Sequence, residues 1–283
     1  MEISSYLASL FIGISSGLIG GGGFVLLMVI FILLPRNPSK IIFHWSIFLL
    51  KNILVWILLF LSNNLFSQNR NEFWVKASLI KKVDKHWAIG IDIQHRRQAD
   101  YYKKDKNIFH FALTNSIRLW AYYKLKQNWS IVASPVAYFE NENIVNTTGL
   151  TVHSEELRSM VGIGKNLFFQ KLLNYNRLLY EIDLINFNYP GMITKHRYRL
   201  MNNFVFAVKS FDISHSLNYN FFNEVFLKTE NGMTSFDQNH FYNGIQWKWK
   251  LSDFGLGYQY TYQKATINYI NKNQILLSLN FMW

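Results

Sequence analysis

After Gln68 the apolar residues fall at every second position, segment after segment, in runs of about ten to fourteen residues. A two-residue period puts alternate side chains on opposite faces of an extended chain, so such a segment can only be a strand with one greasy and one polar face. Trp87, Ile89, Ile91 and Ile93 share a face, opposite Ala88, Gly90, Asp92, Gln94 and Arg96. Phe109, Phe111, Leu113, Ile117 and Leu119 are set against His110, Thr114, Ser116 and Arg118. Phe254, Leu256, Tyr258, Tyr260 and Tyr262 alternate with Gly255, Gly257, Gln259, Thr261 and Gln263, and the final run carries Ile275, Leu277, Leu279, Phe281 and Trp283 on one side. No apolar stretch in this region is long enough for a spanning helix.

Alternation also fits a soluble sandwich. Three further features favour a transmembrane barrel. The runs exceed the ~5–6 residues of a typical globular strand and meet the ~9–11 that a tilted strand needs to cross a bilayer. Short connections near Asp84, Gln127, Ser210–Asp212 and Ser252–Asp253 alternate with longer ones over 99–106, 141–153, 187–195, 226–238 and 264–272. Tryptophans gather at run ends: Trp87, Trp120, Trp129, Trp247, Trp249 and Trp283 are the expected occupants of the two water–lipid boundaries. Lipid offers no partner to an open strand edge, so a spanning sheet must close. The expected fold is therefore all-β: an antiparallel transmembrane barrel with its apolar faces outward. Eleven runs can be read, at 72–83, 86–98, 107–123, 129–140, 154–165, 175–186, 196–208, 213–225, 239–249, 254–263 and 273–283. Because single-chain bacterial barrels have even strand numbers, the expectation within the 10–12 range is ten or twelve. Pro135 makes 129–140 the weakest run, and 166–174 is unassigned.

A hydrophobic helical leader precedes the barrel. Residues Ile3–Leu34 form one apolar block, and a second follows Lys51, running from Ile53 to Leu61 and ending in polar residues at Ser67-Gln68. A basic residue, a short apolar core and a small residue before a polar one mark a secretory signal over 51–67, with cleavage near Ser67–Gln68. Residues 1–50 are then an N-terminal extension, from a start placed too far upstream or a fused fragment; a two-helix anchor is the alternative. Export directs the mature chain, 68–283, to the bacterial outer membrane.

The whole chain is half hydrophobic and 17% aromatic, with 16% charged residues and no cysteine. Disulfides, cysteine metal sites and thiol chemistry are excluded, and so is disorder. Of the formal charge of +12, the portion after Ser67 carries about +10. Dispersed over strands and turns, this charge gives no nucleic-acid stripe. The Lys103, Lys104 and Lys106 tip suits the phosphates of lipopolysaccharide as well as a solvated loop. The histidines lack metal-ligand spacing, and no cofactor is implied.

Charges on the polar faces are the candidate functional residues. Arg96, Arg118, Arg158, Arg177, Arg197 and Arg199, with Glu181, Asp183 and Glu224, fall on the lumen side. They form either a ladder of ion pairs filling a narrow interior or a constriction selecting anionic solutes. No catalytic residue is assigned. A lipid-modifying enzyme is the alternative with chemistry; it would draw on His215, beside Ser214 and Ser216, or on His153 beside Ser154. Adjacent strand residues point to opposite faces, so neither pair is expected to meet. A soluble periplasmic sandwich or lipocalin-like binder is the other alternative.

Two family resemblances follow from particular residues. Leu7–Gly23 resembles the opening of the TauE/SafE sulfite-exporter permeases, and the likeness stops at Phe24. Trp87–Arg96, His196–Arg199, Asn220–Glu224 and Phe236–Gly244 resemble an uncharacterised outer-membrane family, domain of unknown function 2490, over about 70–283. His240 stands where that pattern has an arginine. The resemblance implies an outer-membrane barrel and no known reaction. The ending Phe281-Met282-Trp283 is similar to the aromatic signal read by the barrel-insertion machinery.

Overall fold

A computed structural model describes residues 68–283 except 101, 104–106, 145–149, 170–171, 188–190, 213, 231 and 265–268. The expectations for residues 1–67 lie outside the described residues. Eleven strands follow one another: β1 (Gln68–Lys82), β2 (Trp87–Gln98), β3 (Phe111–Lys124), β4 (Trp129–Ile144), β5 (Thr151–Phe169), β6 (Leu172–Phe187), β7 (Gly191–Ser210), β8 (His215–Glu230), β9 (Met233–Trp249), β10 (Ser252–Lys264) and β11 (Tyr269–Met282). Each pairs antiparallel with the next, and β1 meets β11, closing the sheet into a barrel. All eleven runs are strands, so the expectation of an even number is corrected. Closure explains why. With eleven strands in an up-and-down order the last must run parallel to the first, and the contacts show that it does. Lys82 N–H donates to the Trp283 carbonyl at 2.8 Å and Trp283 N–H to the Ile80 carbonyl at 3.1 Å. Further along, Gln274 Nε2 donates to Glu72 Oε2 at 2.7 Å. Parallel pairing satisfies the edges nearly as well as antiparallel pairing, so the edge requirement leaves strand parity open.

Pro135 lies in a bulge. The β4 register slips between Ser134 and Ala137 against β5, and the facing β3 register slips between Arg118 and Ala121. The extra residues let the chain lose a ladder bond without breaking the strand, which is where proline is tolerated. Residues Asn166–Phe169 pair with Leu172–Tyr175, so the described residues of the unassigned 166–174 stretch continue β5 and begin β6.

The expected long connections at 187–195 and 226–238 are corrected. Most of those residues extend β6 through β9, leaving 188–190 and 231–232 as connections, and Glu230 pairs with Met233 around Gly232, whose φ is +74°. Backbone pairing continues past the apolar belt because a ladder depends on N–H and C=O groups, not on side-chain polarity. The segment 99–110 is the longest connection.

Outward positions are apolar and exposed: Ile89, Ile117, Val161, Leu178, Leu200, Ile245 and Leu256 all show large accessible fractions, and Phe254 is 52% exposed. Tyr258 and Phe281 are exposed on the same side. The sheet therefore does not bury its apolar face against a second layer, and the sandwich alternative is set aside. Inward positions are mostly polar and buried, including Glu72, Asp92, Gln98, Arg118, Glu181, Asp183, Arg197, Glu224, Gln259 and Gln274. Gly257 and Gly244 face each other across β9 and β10 with the Tyr242 ring laid over both; a Cβ on either glycine would collide with it.

Candidate functional site

The nine charges expected in the lumen all point into the barrel, and strand register brings most of them together. Asp183 lies opposite Lys195, Glu181 opposite Arg197, and Met201 opposite both Arg177 and Glu224. Arg197 reaches across the strands to three carboxylates: it pairs closely with Glu181, sits 2.6 Å from Asp183 and 3.6 Å from Asp237. Arg199 Nη1 donates to Glu181 at 2.8 Å, and its Nε and Nη2 donate to both oxygens of Glu224. Arg177 Nη2 completes that end, donating to Glu224 Oε1 at 3.0 Å. Arg158 joins Glu156, Glu181 and Asp183, and Lys195 reaches Asp237 at 3.9 Å. Counting the members gives five cations (Arg158, Arg177, Lys195, Arg197, Arg199) and five anions (Glu156, Glu181, Asp183, Glu224, Asp237). The lattice is neutral; Glu181, Asp183, Arg197, Glu224 and Asp237 are buried and the other five members are partly exposed, and paired, hydrogen-bonded ions of this kind are the form in which burial is tolerable.

Arg118 and Arg96 lie on the other wall. Arg118 shares Asp92 with Lys76, at 3.8 and 3.6 Å, while Trp120 Nε1 donates to the same carboxylate at 2.6 Å. Arg96 lies over the Trp74 ring, 3.4 Å from its centroid, and donates to Gln94. Glu72 takes Gln274, Trp74 and Lys272. Four cations here (Lys76, Arg96, Arg118, Lys272) face two carboxylates (Asp92, Glu72), so this wall carries the surplus positive charge.

Five of the six tryptophans expected at the boundaries fit an outward girdle. Trp87, Trp247, Trp249 and Trp283 are exposed, and Trp129 lies on the same face of β4 as exposed Ile131, with Lys165 over its ring. All five sit at the end of the barrel bearing the β1–β2 and β9–β10 turns. Trp120 is the correction. It is 9% exposed and packs inside with Val132, Ala137, Phe139, Met160 and Leu179. Its position was readable, since it shares parity with Ser116 and Arg118; clustering at a run end concealed it. The apolar plug was not readable, because the bulge at Pro135 turns Ala137 and Phe139 inward against the parity of Ile131. Lys76, Asp92, Glu156, Lys195, Asp237 and Lys272 were also missed as partners, although each falls on the polar side of its run.

The turn residues behave differently from the expectation for His215. Asp212 accepts hydrogen bonds at one oxygen from the backbone N–H groups of Ser214 (2.6 Å) and His215 (2.8 Å) and from Ser214 Oγ (2.8 Å), while His215 Nδ1 lies 2.6 Å from the other. Ser214 does reach His215, 3.1 Å from Nδ1, because it lies in the turn and not on the strand. The contact falls on the nitrogen that Asp212 also holds, whereas a base assisting a hydroxyl uses its other nitrogen. Asp84 closes the β1–β2 turn in the same way, accepting from His86 N–H at 2.6 Å and Trp87 N–H at 2.7 Å. His153 pairs with Glu142 at 2.8 Å. Lys103 pairs with Asp100 at 3.5 Å; Lys104 and Lys106 lie outside the described residues. Among the described residues no cluster of potential metal ligands is found.

Hydrogen bonds from Ser214 and then His215 hold the Asp212 carboxyl down at about 2, below its ordinary 3.8. A carboxylate with a depressed folded-state value stabilises the turn above pH ~3.8, and that support is lost as pH falls through ~2. An Asp212 side-chain carbon titration by NMR in micelles is therefore expected to give a midpoint near 2; an ordinary midpoint would contradict this turn.

The sequence model of the family described as protein of unknown function (DUF2490) matches residues 71–273. The segments that carried the resemblance meet in the lumen: Arg197, Arg199, Glu224 and Asp237 belong to the neutral lattice, and His240 faces Glu224 across β8 and β9. The likeness of residues 7–23 to a permease lies outside this match and gains no support from it. No curated protein and no solved structure matches the chain.

Proposed function

We propose that this chain, which belongs to the DUF2490 family of proteins of unknown function, is an outer-membrane β-barrel whose lumen is held shut or nearly shut by its own charges. Its role is structural, or that of a narrow pore for small anions, and the proposal includes no catalytic step. The observation that carries it is the contrast between the two faces of one closed sheet: exposed aliphatic side chains outside, a half-buried to buried lattice of five cations and five anions inside. An exterior of this kind is stable in acyl chains and costly in water. The neutral lattice fills one side of the interior and provides no selective field. What path remains runs along the wall of Lys76, Arg96, Arg118 and Lys272, where positive charge is in surplus. The same reading places export ahead of insertion, with cleavage near Ser67–Gln68, recognition of the terminal strand by the insertion machinery, and lipopolysaccharide as the outer-leaflet neighbour.

Planar-bilayer recording combined with gel migration before and after heating tests this. Wild type is expected to migrate faster unheated and to conduct weakly, with anions favoured. Arg96→Ala is expected to reduce the anion preference, and Arg199→Ala with Glu224→Ala to enlarge the conductance several-fold. A protein that remains monodisperse without detergent would remove the membrane reading. Unaltered selectivity in Arg96→Ala would remove the anion path.

A further inference from the structure

The lumen wall of β1–β3 holds a charged cluster that its own residues do not balance. Arg96, Gln94 and Asp92 are successive inward residues of β2; Ser116 and Arg118 of β3 lie opposite Gln94 and Asp92, and Lys76 of β1 lies opposite Gln94. Gln94 and Ser116 therefore have Arg96 on one side along the strands, Arg118 on the other and Lys76 beside them. There is room at this point: Lys76 faces inward, yet 41% of its side chain is accessible. Phe139, opposite Ser116, borders the cluster on β4, its ring centroid 5.3 Å from the Arg118 guanidinium.

Donors here outnumber acceptors. Among the described residues Arg96 Nε, Arg118 Nε and Ser116 Oγ have no hydrogen-bond partner. Buried groups of this kind normally find one, in the protein or in something bound. Asp92 Oδ1 is also unpartnered and lies 3.8 Å from Arg118 Nε. Closing that gap would satisfy those two atoms but leave the charge as it is. Four cations (Lys76, Arg96, Arg118, Lys272) less two carboxylates (Asp92, Glu72) leave two positive charges over. The neighbours do not cancel them. Glu156 acts on Arg96 and Asp237 on Lys272, but Arg158, Arg197 and Lys195 already balance both carboxylates. Arg70 near Lys272 is a further cation, and His240 can only add to the surplus. Unbalanced interior charge is costly, so the balancing charge comes from outside the chain.

We infer that this wall binds one doubly charged tetrahedral oxyanion, of the phosphate or sulfate type, between Arg96 and Arg118 and against Lys76 and Ser116. Its two charges match the surplus. Two guanidinium groups, a hydroxyl and an ammonium on three strands approach from different directions, which suits the several oxygens of a tetrahedral group. A halide has no separate oxygens to share among them, and a carboxylate has one charge and two oxygens in one plane. The inference deepens the anion-path reading above and rests on it, naming the class of anion that the wall retains.

Equilibrium dialysis of inorganic phosphate against the detergent-folded full chain, in mildly alkaline buffer with chloride holding the ionic strength constant, tests the site. Sulfate, glycerol phosphate and acetate are run alongside. One phosphate per barrel is expected, with sulfate its equal and acetate far weaker. Tryptophan emission is expected to change over the same titration, since Arg96 lies over the Trp74 ring and Arg118 lies 5.2 Å from the Trp120 ring. Glycerol phosphate binding as well as phosphate would identify a phosphorylated solute as the source, and its exclusion a free oxyanion; both outcomes keep the site. Arg118→Gln is expected to weaken binding by about ten-fold or more, the worth of one hydrogen bond to a charged group. Ser116→Ala, which leaves every charge in place, is expected to weaken it several-fold. Lys250→Gln makes the same charge change in the exposed β9–β10 turn and is expected to leave it unchanged. No saturable binding, equal affinity for acetate, or full affinity in both Arg118→Gln and Ser116→Ala would overturn the inference. Dialysis requires no passage through the barrel, so the two readings fail separately. A barrel that prefers anions in bilayers but retains no oxyanion loses the site and keeps the path. One that binds phosphate without anion preference keeps the site and loses the path.

Discussion

Replacing Arg197 by methionine is expected to cost the folded barrel about 3–5 kcal/mol, the usual loss when one partner of a buried ionic group is removed. Its guanidinium touches three carboxylates, Glu181, Asp183 and Asp237, and it approaches Asp183 more closely than Arg158 does. Without it Glu181 keeps Arg199 at 2.8 Å, but among the described residues Asp183 keeps only Arg158 at 3.8 Å and Asp237 only Lys195 at 3.9 Å. Two nearly inaccessible anions would then lack a close cation. The loss is read from the urea midpoint of protein refolded into vesicles, followed by tryptophan emission and by heat-modified migration. Arg197→Lys is expected to recover only part of it, since one ammonium cannot span three carboxylates as a planar fork does. Adding Asp183→Asn and Asp237→Asn to Arg197→Met is expected to recover more. A midpoint shift equivalent to under about 1 kcal/mol for Arg197→Met would show that water reaches these carboxylates freely and that the lattice is not sealed.

The second large effect concerns the opposite face. Leu200, 59% exposed near the middle of β7, and Val161, at the same level of accessibility in β5, point away from the lumen. Arginine at either position is expected to cost about 2–4 kcal/mol in a bilayer, while Val208→Arg and Met192→Arg, toward the two ends of β7, are expected to cost about 0–1. In a water-soluble barrel the same four substitutions would each fall within about ±0.5 kcal/mol, because an exposed leucine exchanged for a solvated arginine changes little. Vesicle refolding equilibria of the four variants separate the two cases. A flat series, with no penalty rising toward mid-strand, would contradict lipid contact on this wall.

The extent to which this molecule was readable in one dimension differs between its two faces. The run of Trp87, Ile89, Ile91 and Ile93 against Gly90, Asp92 and Gln94 specifies a strand and its sidedness from adjacent residues alone, because side-chain direction in extended backbone follows parity. The nine expected lumen charges point inward for the same reason. Parity fails only where backbone is inserted: beyond Pro135 the bulge exchanges the faces of β4, which is how Phe139 enters the interior. Strand ends were harder. Residues 187–195 and 226–238 look like loops because their side chains are polar on both faces, yet hydrogen bonding to neighbouring strands carries the ladder through them.

Partnership required three dimensions. Arg197 is fourteen residues from Asp183 and forty from Asp237, and nothing along the chain indicates which carboxylates its guanidinium will meet; strand register decides that. The same holds for the parallel seam between β1 and β11. Whether a sheet of eleven runs closes, and with what sense its last strand meets its first, depends on the ends of the chain finding one another across some two hundred residues. Alternation thus determined what the strands present to each side wherever no bulge intervenes, a local property of extended backbone. Only closure and register determined which charges neutralise each other, because those contacts exist between residues that the chain itself holds far apart.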